Sequence, residues 1–335
     1  MRAAVFKGVG QPLAVENVPE PTPGPEDVII KVGRCGVCAT DLDMTSAGGW
    51  AVPPGSVIGH EMAGEIVAVG GSVERLKVGD RITSFAFVGC GHCGECERGE
   101  GWWCENKRPG TGGFAQYAMT GQFSGFKLPQ GVSTADGALV EPLSVGLHSI
   151  SAAQMPHGAR VLVLGCGPIG LATIFWARRL GAGRVLAAAP SKRRESIALA
   201  MGATSFLTLG EDFAERMKAD LGGLPDVVFE CAGAPGAIAR CIDWVRPRGT
   251  VALLGYCTGA DQFVPAIGLL KEVRLQYSMV YNAREYQYCI DVLDSGAVEP
   301  RAMVSQTVGL DAFPAALEAM RERNTQNKLL VDPWA

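Results

Sequence analysis

Residues 159–182 read ARVLVLGCGPIGLATIFWARRLGA. Val161, Leu162, Val163 and Leu164 form a short apolar run, the pattern of a buried strand. Gly165, Gly167 and Gly170 follow, and a long amphipathic stretch opens at Pro168. A strand, a G-x-G-x-x-G turn and a helix in that order make a dinucleotide-binding fingerprint. Gly165 makes the tight turn, Gly167 lets a pyrophosphate approach the backbone, and Gly170 lets helix and strand pack. With Pro168 and Ile169 between them, the helix N-terminus offers unpaired N–H groups and partial positive charge to phosphates.

Strand and helix patterns alternate downstream. RVLAAA (184–189), PDVVFECAG (225–233) and GTVALLGY (249–256) read as strands. SKRRESIALAMGA (191–203) and PGAIARCIDWV (235–245) read as helices. Such alternation predicts a doubly wound parallel sheet of the Rossmann type. About 20 residues past the fingerprint an acidic side chain normally meets the NAD ribose. Ala189 stands there, and 187–194 reads AAAPSKRR with no carboxylate before Glu195. Three cations at the start of a helix oppose its dipole, and a bound 2′-phosphate would relieve them. NADP(H) is therefore expected over NAD(H), with Ser191, Lys192 and Arg193 at the phosphate and Arg194 towards solvent.

Upstream the texture differs. RAAVFKG (2–8), DVIIKVGRCG (27–36), AGEIVAVG (63–70) and DRITSFAFV (80–88) are strand-like and bounded by Gly, Pro and Asp. The expected organisation is a β-rich domain over 1–146, a cofactor-binding α/β domain over 147–280, and a return to the first domain over 281–335. Inside the β-rich part, GCGHCGECERGEGWWC (89–104) sets Cys90, Cys93, Cys96 and Cys104 at gaps of two, two and seven. Four thiolates converging on one point make a closed tetrahedral zinc site. His92 could substitute as a ligand, but reads first as a solvated loop residue beside it. Disulfides are the alternative use of such cysteines, but they are rare in a reducing compartment.

Composition narrows the class. The chain has 335 residues, 47% of them hydrophobic, and a net charge of −4. That is enough apolar material for two cores and too little positive charge for a nucleic-acid binder. No signal-peptide pattern opens the sequence and no membrane-length apolar run occurs, so a cytoplasmic enzyme is the expectation.

Three separated fragments suit a second, open metal site: GVCATD (36–41), GHE (59–61) and EP (141–142). A thiolate, an imidazole and a carboxylate can hold one zinc and leave a position free. Taken with GHEMAGEIVAVG, the four-cysteine loop, GGFAQYA and EPLSVGLHS, the chain resembles the zinc-dependent alcohol dehydrogenases of the medium-chain dehydrogenase/reductase superfamily. A glutamate at 141 is similar to the polyol, threonine and butanediol dehydrogenase branch. The resemblance implies a GroES-like β-rich catalytic domain beside the Rossmann domain, and two zincs per chain. It implies Cys38, His60 and Glu141 as ligands of the catalytic zinc, Glu61 as a further or transient one, and Asp41 behind His60. It implies that Thr40 relays the alcohol proton, although Asp43 replaces the histidine many relatives carry farther out. A small alcohol or carbonyl substrate and a homodimer or homotetramer are implied as well. Trp50, Phe85, Met279 and Tyr281 stand where relatives line the pocket, or are packing residues. Cys35, Cys231, Cys241, Cys257 and Cys289 lie in apolar runs and read as core. An NAD-linked polyol or amino-alcohol dehydrogenase, a silent nucleotide-binding protein with structural zinc alone, and a zinc-free double-bond reductase remain as alternatives.

Overall fold

A computed structural model describes residues 1–47, 49, 52–322 and 326–335; Trp50 lies outside them. The chain divides into two compact units, one of residues 1–141 with 282–335 and the other of residues 142–281.

The discontinuous unit is built on a seven-stranded sheet. Asp27–Gly36 is its axis and pairs antiparallel with Glu61–Val69, Tyr117–Gly121 and Lys328–Asp332. Val304–Gly309 runs parallel to Lys328–Asp332, so the C-terminal segment supplies one flank of a sheet begun near the N-terminus. Alternate residues Val28, Ile30 and Val32 join Ile66, Ile82, Phe114 and Phe313 in one buried core. A period of two places one set of side chains on that face.

The contiguous unit holds a six-stranded, all-parallel sheet in the order 205–208, 184–189, 160–164, 227–230, 250–253, 274–277. That order reverses direction at 160–164, the first strand of the unit, as in doubly wound dinucleotide folds. The central strands are buried along their length, which explains their unbroken Val, Leu and Ala runs. Ser205–Thr208 and the helix Phe213–Leu221 escape the sequence reading, although Gly222 marks the helix end in the left-handed conformation. The helix Ala283–Asp294 escapes it too, despite a capping box between Asn282 and Glu285.

Arg274–Tyr277 is an edge strand. Its neighbourhood carries eight of the sixteen exposed large hydrophobic residues found among the described residues: Tyr256, Phe263, Val264, Ile267, Leu269, Leu270, Tyr277 and Met279. Scattered exposed apolar residues are ordinary, whereas such a concentration marks an interaction surface.

Candidate functional site

Cys38 follows the axial strand and caps the short helix Ala39–Met44; its N–H donates to Asp41 Oδ2 at 2.8 Å. His60 precedes the strand that Glu61 opens. Strand pairing sets Gly36 opposite Glu61, which draws the two segments together. Cys38, His60 and Glu61 each bring one ligand atom within 4.8 Å of the others. His60 Nδ1 lies 3.6 Å from Asp41 Oδ1, and that oxygen is buried with no other partner. A carboxylate behind one ring nitrogen orients the other as a ligand. Burial alone would lower the His60 pKa; Asp41 and the Cys38 sulfur outweigh it and hold it well above the ordinary range. The donor set gathered here, a thiolate, an imidazole and a carboxylate, suits zinc. Thr40 Oγ1 is buried without a hydrogen-bond partner. An orphaned hydroxyl of this kind fits a group that pairs with a ligand.

Glu141 opens the helix Val140–Ala153 and is 7% exposed. It stands outside the three-residue cluster, although its charge acts on both Lys328 and Tyr286.

Lys328 is the residue that sequence reading misses. Its side chain is 1% exposed and its ammonium donates to Glu61 Oε1 at 2.6 Å, Glu61 Oε2 at 2.5 Å and Val37 O at 2.9 Å. All three of its protons are thereby engaged. Burial pulls its pKa down, but Glu61 first, then Cys38 and Glu141, raise it above the ordinary lysine value. The available signal was a lysine leading the apolar run LLV, which reads equally as a strand end in water.

Cys90, Cys93, Cys96 and Cys104 also bring their sulfurs within 4.8 Å of one another. N–H donors of His92 and Cys93 lower the Cys90 thiol to about 6, and burial pushes Cys96 up to about 12. His92 is a solvated neighbour, its side chain 68% exposed and edge-on to Phe123.

In the glycine-rich turn, Gly165 has φ +97°, a conformation that disfavours side chains. A Cβ at Gly170 would strike the Gly165 carbonyl, whereas one at Gly167 would meet only Arg194 Nη1, at 3.6 Å. Gly167 thus borders open space before the helix Pro168–Arg179, whose N-terminus no side chain caps. Free N–H groups at an uncapped helix N-terminus suit a phosphate. One expectation changes here. Arg194 does not face solvent; it folds back and donates to the Cys166 carbonyl at 3.2 Å. The three cations form a 3-10 turn that runs into the helix opening at Glu195, so they stand at its N-terminal end. Arg193 Nε donates to Ser191 Oγ at 3.2 Å, and the Lys192 side chain is 75% exposed.

Phe85 packs against Phe126 and Tyr286, Tyr281 is buried, and Met279 is 47% exposed. Cys35, Cys241 and Cys289 are core residues and Cys231 is half-buried, but Cys257 is exposed because it lies in the loop after the strand Thr250–Leu253.

Residues 24–130 match the alcohol dehydrogenase GroES-like domain, and residues 168–295 match the zinc-binding dehydrogenase domain. Sorbitol dehydrogenase of Bacillus subtilis (strain 168) is 31% identical over 99% of this chain and 97% of its own length. A protein of Sinorhizobium meliloti 1021, described as a zinc-binding dehydrogenase and solved with NADP, superimposes with a TM-score of 0.90 at 30% identity. An alcohol dehydrogenase of Escherichia coli CFT073, solved with NADH, gives 0.90 at 25% identity. Both cover 99% of each chain. No helix among the described residues is long and apolar enough to cross a membrane.

Proposed function

This chain belongs to the zinc-binding alcohol dehydrogenase family, and from that premise we propose that it moves a hydride between NADP(H) and a secondary alcohol or its ketone. The observation that carries the reading is the convergence of Cys38, His60 and a buried carboxylate, with the orphaned Thr40 hydroxyl two residues along the chain from Cys38. A zinc ion held there supplies a Lewis acid that favours the anionic form of an alcohol oxygen and polarises a carbonyl, while the nicotinamide is the hydride partner. Cys38, His60 and Glu141 hold the ion, with Glu61 adjoining them. Asp41 fixes the His60 ring. Thr40, able to donate and accept, passes the alcohol proton outward. Asp43 or water carries it farther. A second zinc in the four-cysteine site shapes the lobe that contains it.

For the cofactor, Ala189 removes the carboxylate that would repel a 2′-phosphate, and Ser191, Lys192 and Arg193 follow it within four residues. NADPH is expected to outperform NADH in kcat/KM. The pair Lys192→Ala with Arg193→Ala should cost about 10–100-fold with NADPH and little with NADH. Charge-assisted hydrogen bonds contribute ~1.5–3 kcal/mol, and each ~1.4 kcal/mol is tenfold. Steady-state kinetics with both cofactors decides. Equal or better use of NADH by the unsubstituted enzyme would favour an NAD-linked polyol dehydrogenase.

The open edge supports a homodimer, alone or within a tetramer. Arg274 and Ser278 donate their N–H groups inward, to Gly249 and Leu253. In a parallel pair that turns the N–H and C=O of Leu275 and Tyr277 outward. Two copies related by a twofold at Gln276 would pair Leu275 of each with Tyr277 of the other. The Gln276 amide, which covers the Tyr277 carbonyl at 2.7 Å, would yield to that pairing. The strand's one charge does not guard the edge, because Arg274 turns back to Thr250 and Ala153. Light scattering should find a dimer or tetramer for the natural chain, and a smaller species for Tyr277→Pro, which lacks a donor. A monomeric natural chain would sink this assignment.

A further inference from the structure

We propose that Lys328 is a positioning residue that decides which carboxylate completes the catalytic metal's ligand set. Resting on the metal site proposed above, this assigns Lys328 the task of keeping Glu61 off the ion so that one coordination position stays open.

The device spans three neighbouring strands. Lys328 opens one, Gly36 ends the axial strand in the middle, and Glu61 opens the third. The lysine reaches its partner across Gly36, where any Cβ would collide with Glu61 Oε2. Both Glu61 oxygens accept from the ammonium, and the third proton goes to the Val37 carbonyl. Val37 itself is tied to the lysine strand, its N–H donating to Leu329 O at 2.9 Å. Backbone pairing and the ion pair therefore hold each other in place.

Glu61 is nevertheless near enough to bind, since one of its oxygens belongs to the cluster with Cys38 and His60. Its carboxylate is wholly buried, so without Lys328 it has no water to turn to. A buried charge that loses its partner must find another. The metal would be the nearest cation. Charge works in the same direction: the thiolate, Asp41, Glu61 and Glu141 total four negative charges, facing a divalent ion and one ammonium. Removing the lysine widens that excess and draws Glu61 towards the ion, the one cation left. Four protein ligands make a closed site, and a closed site is structural rather than catalytic.

The test compares Co(II)-loaded and zinc-loaded forms of the natural protein, Lys328→Met, and Lys328→Met with Glu61→Gln. Lys328→Met should keep two metals per chain, yet release the catalytic one to a chelator more slowly. Its Co(II) visible spectrum should change, because donor set and geometry change. Its kcat/KM should fall by about 10–100-fold, the usual effect of losing a group that orients a ligand. Adding Glu61→Gln, a poor ligand, should return spectrum and release rate towards the natural values. Gly36→Ala keeps the lysine charge but pushes the carboxylate away from it, and should shift the spectrum in the same direction. An unchanged spectrum and release rate in Lys328→Met, or faster metal loss, overturns the inference while leaving the metal site standing. A natural protein with a single metal per chain removes the proposed function, and this device with it.

Discussion

Cys38→Ala is expected to leave one zinc per chain where two are expected in the natural protein, and to lower kcat/KM by about a thousandfold. A Lewis acid contributes several kcal/mol to the transition state, and ~4 kcal/mol is roughly a thousandfold. Glu61, the other donor in reach, is tied to Lys328. Cys38 is placed by its own N–H bond to Asp41, and Asp41 also backs His60, so one carboxylate positions two donors. Thr40→Val makes the control. It preserves shape and both metals but removes the hydroxyl, and should cost about 10²–10⁴-fold, as loss of a positioned acid–base group does. Metal analysis and kinetics on the two variants separate binding from proton transfer. Survival of activity in Cys38→Ala would point instead to a zinc-free reductase, and a natural protein with one zinc to a silent nucleotide binder.

Cys104→Ala should remove the other zinc and lower Tm by about 8–16 °C, with new proteolytic sensitivity inside residues 89–104. The lobe has little else to hold it. Its regular structure is the four-residue helix Gly94–Glu97 and one 3-10 turn, Gly101–Trp103. Trp103 is 58% exposed, while Cys104 is completely buried and accepts from the Cys90 N–H at 3.4 Å. Zinc bound by a lobe without a core of its own contributes folding free energy directly. A loss of ~4 kcal/mol gives that shift in Tm for a domain of this size. Calorimetry beside metal analysis tests it; a variant with one zinc and an unchanged Tm would show that the lobe folds unaided.

Legibility followed distance along the chain. The four cysteines lie within fifteen residues and the glycine fingerprint within six, so local spacing carried both. The β-rich part and the alternating α/β part were legible for the same reason, through runs such as Val161–Leu164. Edges were less so. Ser205–Thr208 is only four residues long, with one buried side chain, and offers no run to recognise. Arg194 looked like its cationic neighbours, yet a backbone carbonyl in the glycine-rich turn, 28 residues earlier, draws it inward. Lys328 and Glu61 stand 267 residues apart. Only strand order brings them together, and no periodicity in either segment announces it.

The position of the last strand has a consequence for synthesis. Residues 142–281 are continuous and can fold as soon as they leave the ribosome. The other unit begins first and must wait, since Lys328–Asp332 pairs beside Asp27–Gly36. Until that segment emerges, the nascent molecule carries a bare sheet flank and an uncompensated acid at Glu61. Chains stalled or clipped before residue 328 would thus be exposed to quality-control proteases, which would spare finished copies.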